Sequence, residues 1–386
     1  MTAPRKLRMG MVGGGRGAFI GEVHRMASRL DGQIELVAGA FSSDPERARQ
    51  SGEDLFVDPG RVYTSYEEMA AKEAALPEGQ RIDFVSIVTP NHLHYPVARC
   101  FLQHGFHVVC DKPVTHRMED AVALRDLVRQ SGRLFALTHN YTGYPMVREA
   151  RERVSRGELG ELVKVVVEYT QGWLLGNVEA EGNKQAAWRT DPKLAGAAGC
   201  LGDIGTHAEN LVHYVTGQKI AQVSADFTTL VPGRQLEDDA QLFLRYENGM
   251  KGLLFASQVS AGEENALRLR VYGTKASLEW RQEDPNELIL KFPDQPRQIL
   301  KTGNGYLSPH AQAGSRIPPG HPEAFLEAFA NLYREFARAV RDRQADRDDG
   351  PYDFPTVEDG LEGLRFIATA VESAAHDSRW TKMVEV

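Results

Sequence analysis

The sequence predicts a two-part chain: an α/β domain on a parallel sheet, then an α+β domain with a large, mostly antiparallel open sheet. Three observations carry this. The first 140 residues alternate short, uniformly apolar runs with segments of helical spacing, the pattern of strands covered by helices on both faces. A glycine cluster, "GGGRGA" (13–18), separates the first apolar run from the first helical segment. After residue 140 the alternation gives way to a series of strand-like runs, several of them alternating apolar and polar residues. A length of 386 residues suits two domains, divided as 1–140 and 141–386.

The first part reads as strand 7–15, helix 18–30, strand 34–41, helix 44–52, strand 82–90, helix 95–105, strand 106–113, helix 118–132 and strand 134–140. In the first helix Ile20, Val23, Ala27 and Leu30 fall three or four apart; the second opens on an Asp-Pro start signal. The second part opens with helix 146–160, which stops at a glycine. Strand-like runs follow at 163–171, 222–231, 240–246, 251–260, 266–273, 276–282 and 287–292. The Asn248-Gly249 pair between two of these runs is a hairpin signal. Segment 301–321 reads as a long loop, and helices at 322–344 and 359–374 close the chain, the last a candidate to pack back on the first domain.

Composition narrows the function classes. With 42% hydrophobic and 25% charged residues, a packed core is expected rather than disorder. A net charge of −8 argues against a phosphate-binding basic stripe, so no nucleic-acid partner is expected. Cys100, Cys110 and Cys200 have no metal-type spacing, and His92 and His94 lack supporting carboxylates or thiols, so no metal is expected. No run reaches the ~20 apolar residues of a membrane helix, and no signal-peptide pattern is present. The expectation is a soluble cytoplasmic protein.

The glycine cluster fits G-x-G-x-x-G/A, with Gly13, Gly15 and Ala18 at the three positions and Arg16 between them. Between a strand and a helix, this pattern makes a tight turn, lets the backbone approach a pyrophosphate and keeps the helix close to the strand. A dinucleotide-binding (Rossmann) domain is therefore expected. The tip of the second strand, where an acid usually meets the ribose of NAD, reads Phe41-Ser42-Ser43, with Asp44 late and Arg47 beyond. Ser42 or Ser43 suits a hydroxyl or a phosphate, and Arg47 suits a 2′-phosphate or solvent. NAD and NADP both stay open, with NAD preferred.

Sites in parallel sheets lie beyond the carboxyl ends of the strands. Thr89, Asn91 and His94 follow one such end, Asp111, Lys112 and Pro113 another, and Asn140 a third. Lys112 can hold or pass the proton of a substrate hydroxyl; a surface lysine paired with Asp111 is the plainer reading. In "GDIGTHAEN", Asp203 and His207 are four apart and share a helix face. They form either a proton-transfer pair or a core histidine with Asp203 as helix N-cap. In "AAWRTDP", read as a loop, Trp188 and Arg189 suit a sugar face and an oxyanion, and Tyr141 and Tyr144 offer hydroxyls or hinge packing.

"MVGGGRGA", "VTPNHLH", "CDKPVTH" and "GDIGTHAEN", in this order, resemble the Gfo/Idh/MocA oxidoreductases over nearly the whole chain. The family usually has Glu-Lys-Pro where this chain has Asp111-Lys112-Pro113. The resemblance implies a hydride transfer between nicotinamide and a hydroxyl-bearing carbon of a sugar, sugar derivative or cyclic polyol. It implies Lys112 and His207 as the catalytic pair, with Asp203 assisting, and Asn91 and His94 near the nicotinamide. The implied pocket adds Asn140, Tyr141, Trp188 and Arg189. It also implies a homo-oligomer, dimer or tetramer, packed through the second-domain sheet. Some relatives instead run a redox-neutral cycle of oxidation, elimination, water addition and re-reduction that cleaves a glycoside; Tyr141, Tyr144 or His310 would be the extra base. An acidic ligand would be read by Arg189 or Arg316.

Overall fold

The computed structural model describes residues 5–347 and 350–386. They form two compact units: residues up to Asn140 with Phe329–Leu361, and Tyr141–Ala328 with Glu362–Val386.

In the first unit, the chain runs β1 (Leu7–Gly13), α1 (Phe19–Leu30), β2 (Ile34–Ala40), α2 (Pro45–Asp54), α3 (Tyr66–Ala75), β3 (Phe84–Val88), α4 (His94–Gln103), β4 (His107–Cys110), α5 (Met118–Ser131) and β5 (Phe135–Leu137). The strands pair in the order β2-β1-β3-β4-β5, all parallel. Every residue of β3 and β4 is buried, which is why these strands read as continuous apolar runs. The order reverses between β1 and β3, so a crevice for a ligand opens beyond their carboxyl ends. Helix α3 was not expected, yet its start is written in the sequence. Ser65 Oγ accepts from Glu68 N at 3.1 Å, while the Glu68 carboxylate reaches back to Thr64 N.

The second unit contains α6 (Pro145–Ser155), β6 (Leu162–Thr170), α7 (Lys184–Arg189), α8 (Pro192–Ala195), a π-helical turn (Leu201–Gly205), α9 (Thr206–Thr216), β7 (Ile220–Thr228), β8 (Asp239–Tyr246), β9 (Lys251–Ser257), β10 (Ala266–Gly273), β11 (Ser277–Arg281), β12 (Glu287–Phe292), β13 (Gln295–Lys301) and α10 (Pro309–Gln312). Helices α11 (Phe325–Gln344) and α12 (Val357–Ala374) and strand β14 (Thr381–Lys382) complete the chain. The sheet order is β13-β12-β11-β10-β6-β9-β8-β7-β14. Only β6 and β9 pair in parallel. One face is buried: Leu267, Leu269 and Val271 of β10 point to the core, alternating with the half-buried Arg268 and Arg270.

The structure corrects three expectations. Residues 186–192 are not a loop: Asn183 caps α7 by accepting from Gln185 N and Ala186 N, and Asp191-Pro192 starts α8. The 301–321 segment holds the short α10, capped by Ser308. A single cut at residue 140 does not describe the chain, because Phe329–Leu361 groups with the first unit. The reason is aromatic: the buried Phe336 packs on Phe84 of β3 at 5.2 Å, and Phe329 and Tyr333 pack around His24.

Candidate active site

The glycine turn follows β1 and leads into α1. Gly13 has φ +82°, a conformation that a Cβ disfavours. The tightest approach lies elsewhere. A Cβ on Gly21, in the first turn of α1, would stand 2.4 Å from Gly14 Cα. The helix–turn packing expected of Ala18 is therefore made by Gly14 and Gly21, which the motif alone did not single out. The Arg25 guanidinium donates to the Gly14 carbonyl at 2.5 Å and ties the turn to α1. Ala18, the N-cap of α1, provides no side-chain acceptor, so the first-turn N–H groups have no side-chain cap. A cleft lies over this helix start, lined by the glycines of the turn, Ala18 and Ser51, with Arg16, Arg25, Glu22 and Asp54 also on its walls. Glycine backbone, small side chains and an uncapped helix N-terminus are what a pyrophosphate needs.

Arg16 departs from its expected part. Its N–H goes to Ser51 Oγ at 3.1 Å and its guanidinium to Asp54 and Gln50, so it braces α2. At the tip of β2, Ser42 Oγ accepts from Asp44 N, and Asp44 caps α2 through Arg47 N. Ser43 and the Arg47 side chain are exposed.

At the carboxyl ends of β3, β4 and β5 the structure groups the expected residues. Asn91 and Asn140 are buried, and Lys112 is half-buried, with a cis peptide to Pro113. Thr89 Oγ1 and Asn140 Nδ2 are buried polar atoms that meet no partner among the described residues. Such atoms fit a polar ligand passing over the strand ends. His94 is a correction. It is 1% exposed, with Nδ1 at 2.6 Å from Pro113 O and Nε2 at 3.0 Å from Thr89 O. Burial lowers its pKa, so the neutral ring carries one N–H and donates to one of these two carbonyls, inside the protein rather than toward a ligand.

Asp111 is a second correction. Its carboxylate turns inward, accepting from Thr138 Oγ1 at 2.8 Å, with His24 Nε2 3.7 Å away. His24 Nδ1 lies 2.7 Å from the Tyr333 hydroxyl. A hydroxyl donating to Nδ1 leaves the Nε2 proton facing the carboxylate. Burial pushes the Asp111 pKa up, but the His24 imidazole and Lys112 ammonium outweigh it and hold the acid well below its usual range. Asp111 thus anchors the Lys112 turn from below.

In the second unit, Asp203 lies in the π-helical turn and His207 in the first turn of α9, so Asp203 is not the helix N-cap. A π turn accommodates an extra residue and often marks a functional position. Asp203 Oδ2 accepts from Arg189 Nε at 3.0 Å and Gln258 Nε2 at 2.9 Å. The Arg189 guanidinium lies 4.2 Å from the Trp188 ring and 5.8 Å from that of Trp173. A polar chain continues from Trp173 Nε1 to Gln171, and from Gln171 to Asn265, which also accepts from the Tyr169 hydroxyl. The Tyr169 and Tyr141 hydroxyls are 2.5 Å apart. The Tyr141 ring meets the His207 ring edge-on at 5.0 Å.

Tyr141 and Tyr144 are almost fully buried, and burial raises both phenol pKa values. A phenol held protonated in this way does not suit a base; the Tyr141 ring walls His207. Arg316 pairs with Glu323. Gln171, Trp173, Gln258 and Asn265 were not expected, because isolated amides and indoles at strand ends and in the segments beside them carry no motif.

The oxidoreductase family with an NAD-binding Rossmann fold matches residues 7–139, and the GFO/IDH/MocA C-terminal domain matches 147–279. The uncharacterized oxidoreductase YfiI of Bacillus subtilis is 35% identical, with 98% of this chain and 97% of that protein aligned. The chain belongs to the Gfo/Idh/MocA oxidoreductases. Within this family, the crystal structure of an inositol dehydrogenase homolog complexed with NAD+ from Azotobacter vinelandii superposes with a TM-score of 0.94 at 38% identity. The match covers 99% of this chain and 98% of that one. An oxidoreductase from Sinorhizobium meliloti is 46% identical, covering 98% of this chain and 100% of that one, with a TM-score of 0.88. The chain carries the family's NAD-binding Rossmann domain, and the glycine turn and helix start fit the pyrophosphate of a nicotinamide dinucleotide. Among the described residues, no helix is long and apolar enough to cross a membrane.

Proposed function

We propose that this chain is an NAD-dependent dehydrogenase of a neutral sugar, sugar derivative or cyclic polyol. Lys112 and His207 are its proton-transfer groups. The observation that carries the reading is the placement of Lys112 at the carboxyl end of β4, in the sheet that bears the glycine cradle. In the second unit one turn and the helix after it carry Asp203 and His207. Bound nicotinamide supplies the hydride acceptor or donor. Lys112 holds the substrate hydroxyl and takes or returns its proton; His207 is the second proton carrier. Asp203, held by Arg189 and Gln258, receives a substrate hydroxyl and orients the imidazole. Thr89, Asn91 and Asn140 line the nicotinamide end, and the Gly13–Ala18 turn holds the pyrophosphate.

Three findings support the finer choices. The Azotobacter homolog, 38% identical, was solved with NAD+ and again with NADH and myo-inositol, which favours NAD and a cyclic polyol. The Arg189 charge is already met by Asp203 and two indoles, so an anionic substrate gains nothing from it. The outward sheet face carries the cross-strand pair Phe243 and Leu253, 59% and 41% exposed, which supports a homo-oligomer packed through that face.

The test is reduced-nicotinamide absorbance with NAD+ or NADP+ over myo-inositol, other cyclitols, levoglucosan, sugar phosphates and aryl glycosides. Net NAD+ reduction by a neutral polyol is expected. Aglycone release with no net reduction would replace this reading by the redox-neutral one. A Lys112→Ala protein with unchanged turnover would remove the lysine from the mechanism.

A further inference from the structure

The turn carrying Asp203 and His207 begins without a cap of its own, since no side chain of Cys200 bonds its N–H groups. Those groups end instead on one residue, Glu237, in the connection between β7 and β8. Glu237 Oε1 accepts from Gly199 N at 2.8 Å and Leu201 N at 3.0 Å, and its Oε2 lies 2.9 Å from Gly199 N. The Glu237 carbonyl takes the N–H between them, Cys200 N, at 3.0 Å. Three consecutive donors are thus satisfied by one side chain and its own backbone. The approach is close enough that a Cβ on Gly199 would stand 2.2 Å from Glu237 O. Asp203 N then closes the turn on Gly199 O at 2.9 Å.

The Glu237 connection is itself pinned. Arg234, 3% exposed at its side chain, reaches Asp238 at 3.1 Å, Glu179 at 2.8 Å and the Gly176 carbonyl at 2.8 Å. The same clamp therefore holds the 176–179 segment, which leads into α7 with Trp188 and Arg189.

We propose that Glu237 is a positioning residue for the reaction, an acid that seats the Asp203–His207 turn from beneath without touching substrate. This rests on the reading of Asp203 and His207 as substrate-facing groups. A carboxylate at this place does what a neutral cap does less well: it accepts several N–H bonds at a helix start, where negative charge is favoured. Glu237 is 7% exposed. Burial raises its pKa to about 7, against the backbone donors of Gly199 and Leu201 that lower it. The charged and titratable groups around it are Asp238 beside it, with the Arg234–Glu179 clamp on Asp238, Asp239 opening β8, and Cys200 and Asp203 on the turn. Burial and the neighbouring Asp238 favour its protonated form, so the cap weakens as pH falls through neutrality.

The experiment compares wild type with Glu237→Gln, Glu237→Asp and Asp203→Asn. Amide hydrogen exchange is followed at 199–207 and, as a reference, at 7–30. NADH affinity and NAD+ reduction by myo-inositol are measured in parallel from pH 6 to 9. For Glu237→Gln we expect at least fivefold faster exchange at 199–207, unchanged exchange at 7–30 and NADH affinity within twofold of wild type. The same variant should lose ten- to a hundredfold in kcat/KM, mainly in kcat, and lack the wild-type inflection near pH 7. Glu237→Asp should recover part of both losses. Wild-type exchange and kcat/KM in Glu237→Gln, alongside a collapsed Asp203→Asn, overturn the proposal. If Asp203→Asn is fully active, the substrate assignment of that turn falls, while fast exchange in Glu237→Gln still supports the brace.

Discussion

Replacing Gly21 by alanine adds one methyl group where the structure has no room for it. The new Cβ would stand 2.4 Å from Gly14 Cα and 3.0 Å from the Gly14 carbonyl oxygen, both backbone atoms that no rotamer change can move aside. Ordinary contact begins near 3.4 Å, so α1 and the turn must separate by about 1 Å. Overpacking of this kind costs about 1–3 kcal/mol, offset by about 1 kcal/mol from the better helix propensity of alanine. The fold should survive with a modest loss. The cradle should not, because the turn and the first N–H groups of α1 must address one pyrophosphate together, and a displacement of about 1 Å can cost a hundredfold. We expect NADH to bind ten- to a hundredfold more weakly, about 1.4–2.7 kcal/mol. Fluorescence titration of NADH measures this, with thermal unfolding in parallel. Gly79→Ala, at an exposed position with nothing within 4 Å, is the control. NADH affinity within twofold of wild type in Gly21→Ala would refute the close-approach argument.

Further outcomes follow from the same structure. Lys112→Met should lower kcat at least a hundredfold while leaving NADH affinity nearly unchanged, read by steady-state kinetics beside titration. Arg189→Met should leave Asp203 with one fewer donor and raise KM for a neutral polyol about tenfold; improved turnover of a sugar phosphate over the neutral sugar would contradict the assignment. Burial lowers the His139 pKa to about 4, below the ~6.5 of the unfolded chain. A depressed histidine favours the fold above pH ~6.5 and loses that contribution as pH falls toward 4, about 3 kcal/mol in all. Urea unfolding at pH 7.5, 5.5 and 4.5 should show this acid slope, and His139→Gln should flatten it.

The parallel sheet and the glycine turn are legible in the residues alone, because both are local: buried strands must be apolar throughout, and a tight turn into a helix needs glycine. Lys112 at a strand end and Asp203 four residues before His207 are legible too, since spacing survives folding. Helix α7 escaped notice because six residues are too few for periodicity, although its Asn183 cap was legible. β13 escaped because an exposed polar edge strand does not alternate. Which groups are committed elsewhere follows from the folded arrangement and not from spacing. Asp111 faces His24 and Thr138 instead of a ligand, His94 is buried between two backbone carbonyls, and Arg16 braces α2. The folded arrangement also decides that Glu237, 34 residues beyond Asp203, completes the turn that Asp203 occupies. Residue type fixes what a side chain can donate or accept; burial and the partner across the fold fix which of those possibilities remains open for chemistry.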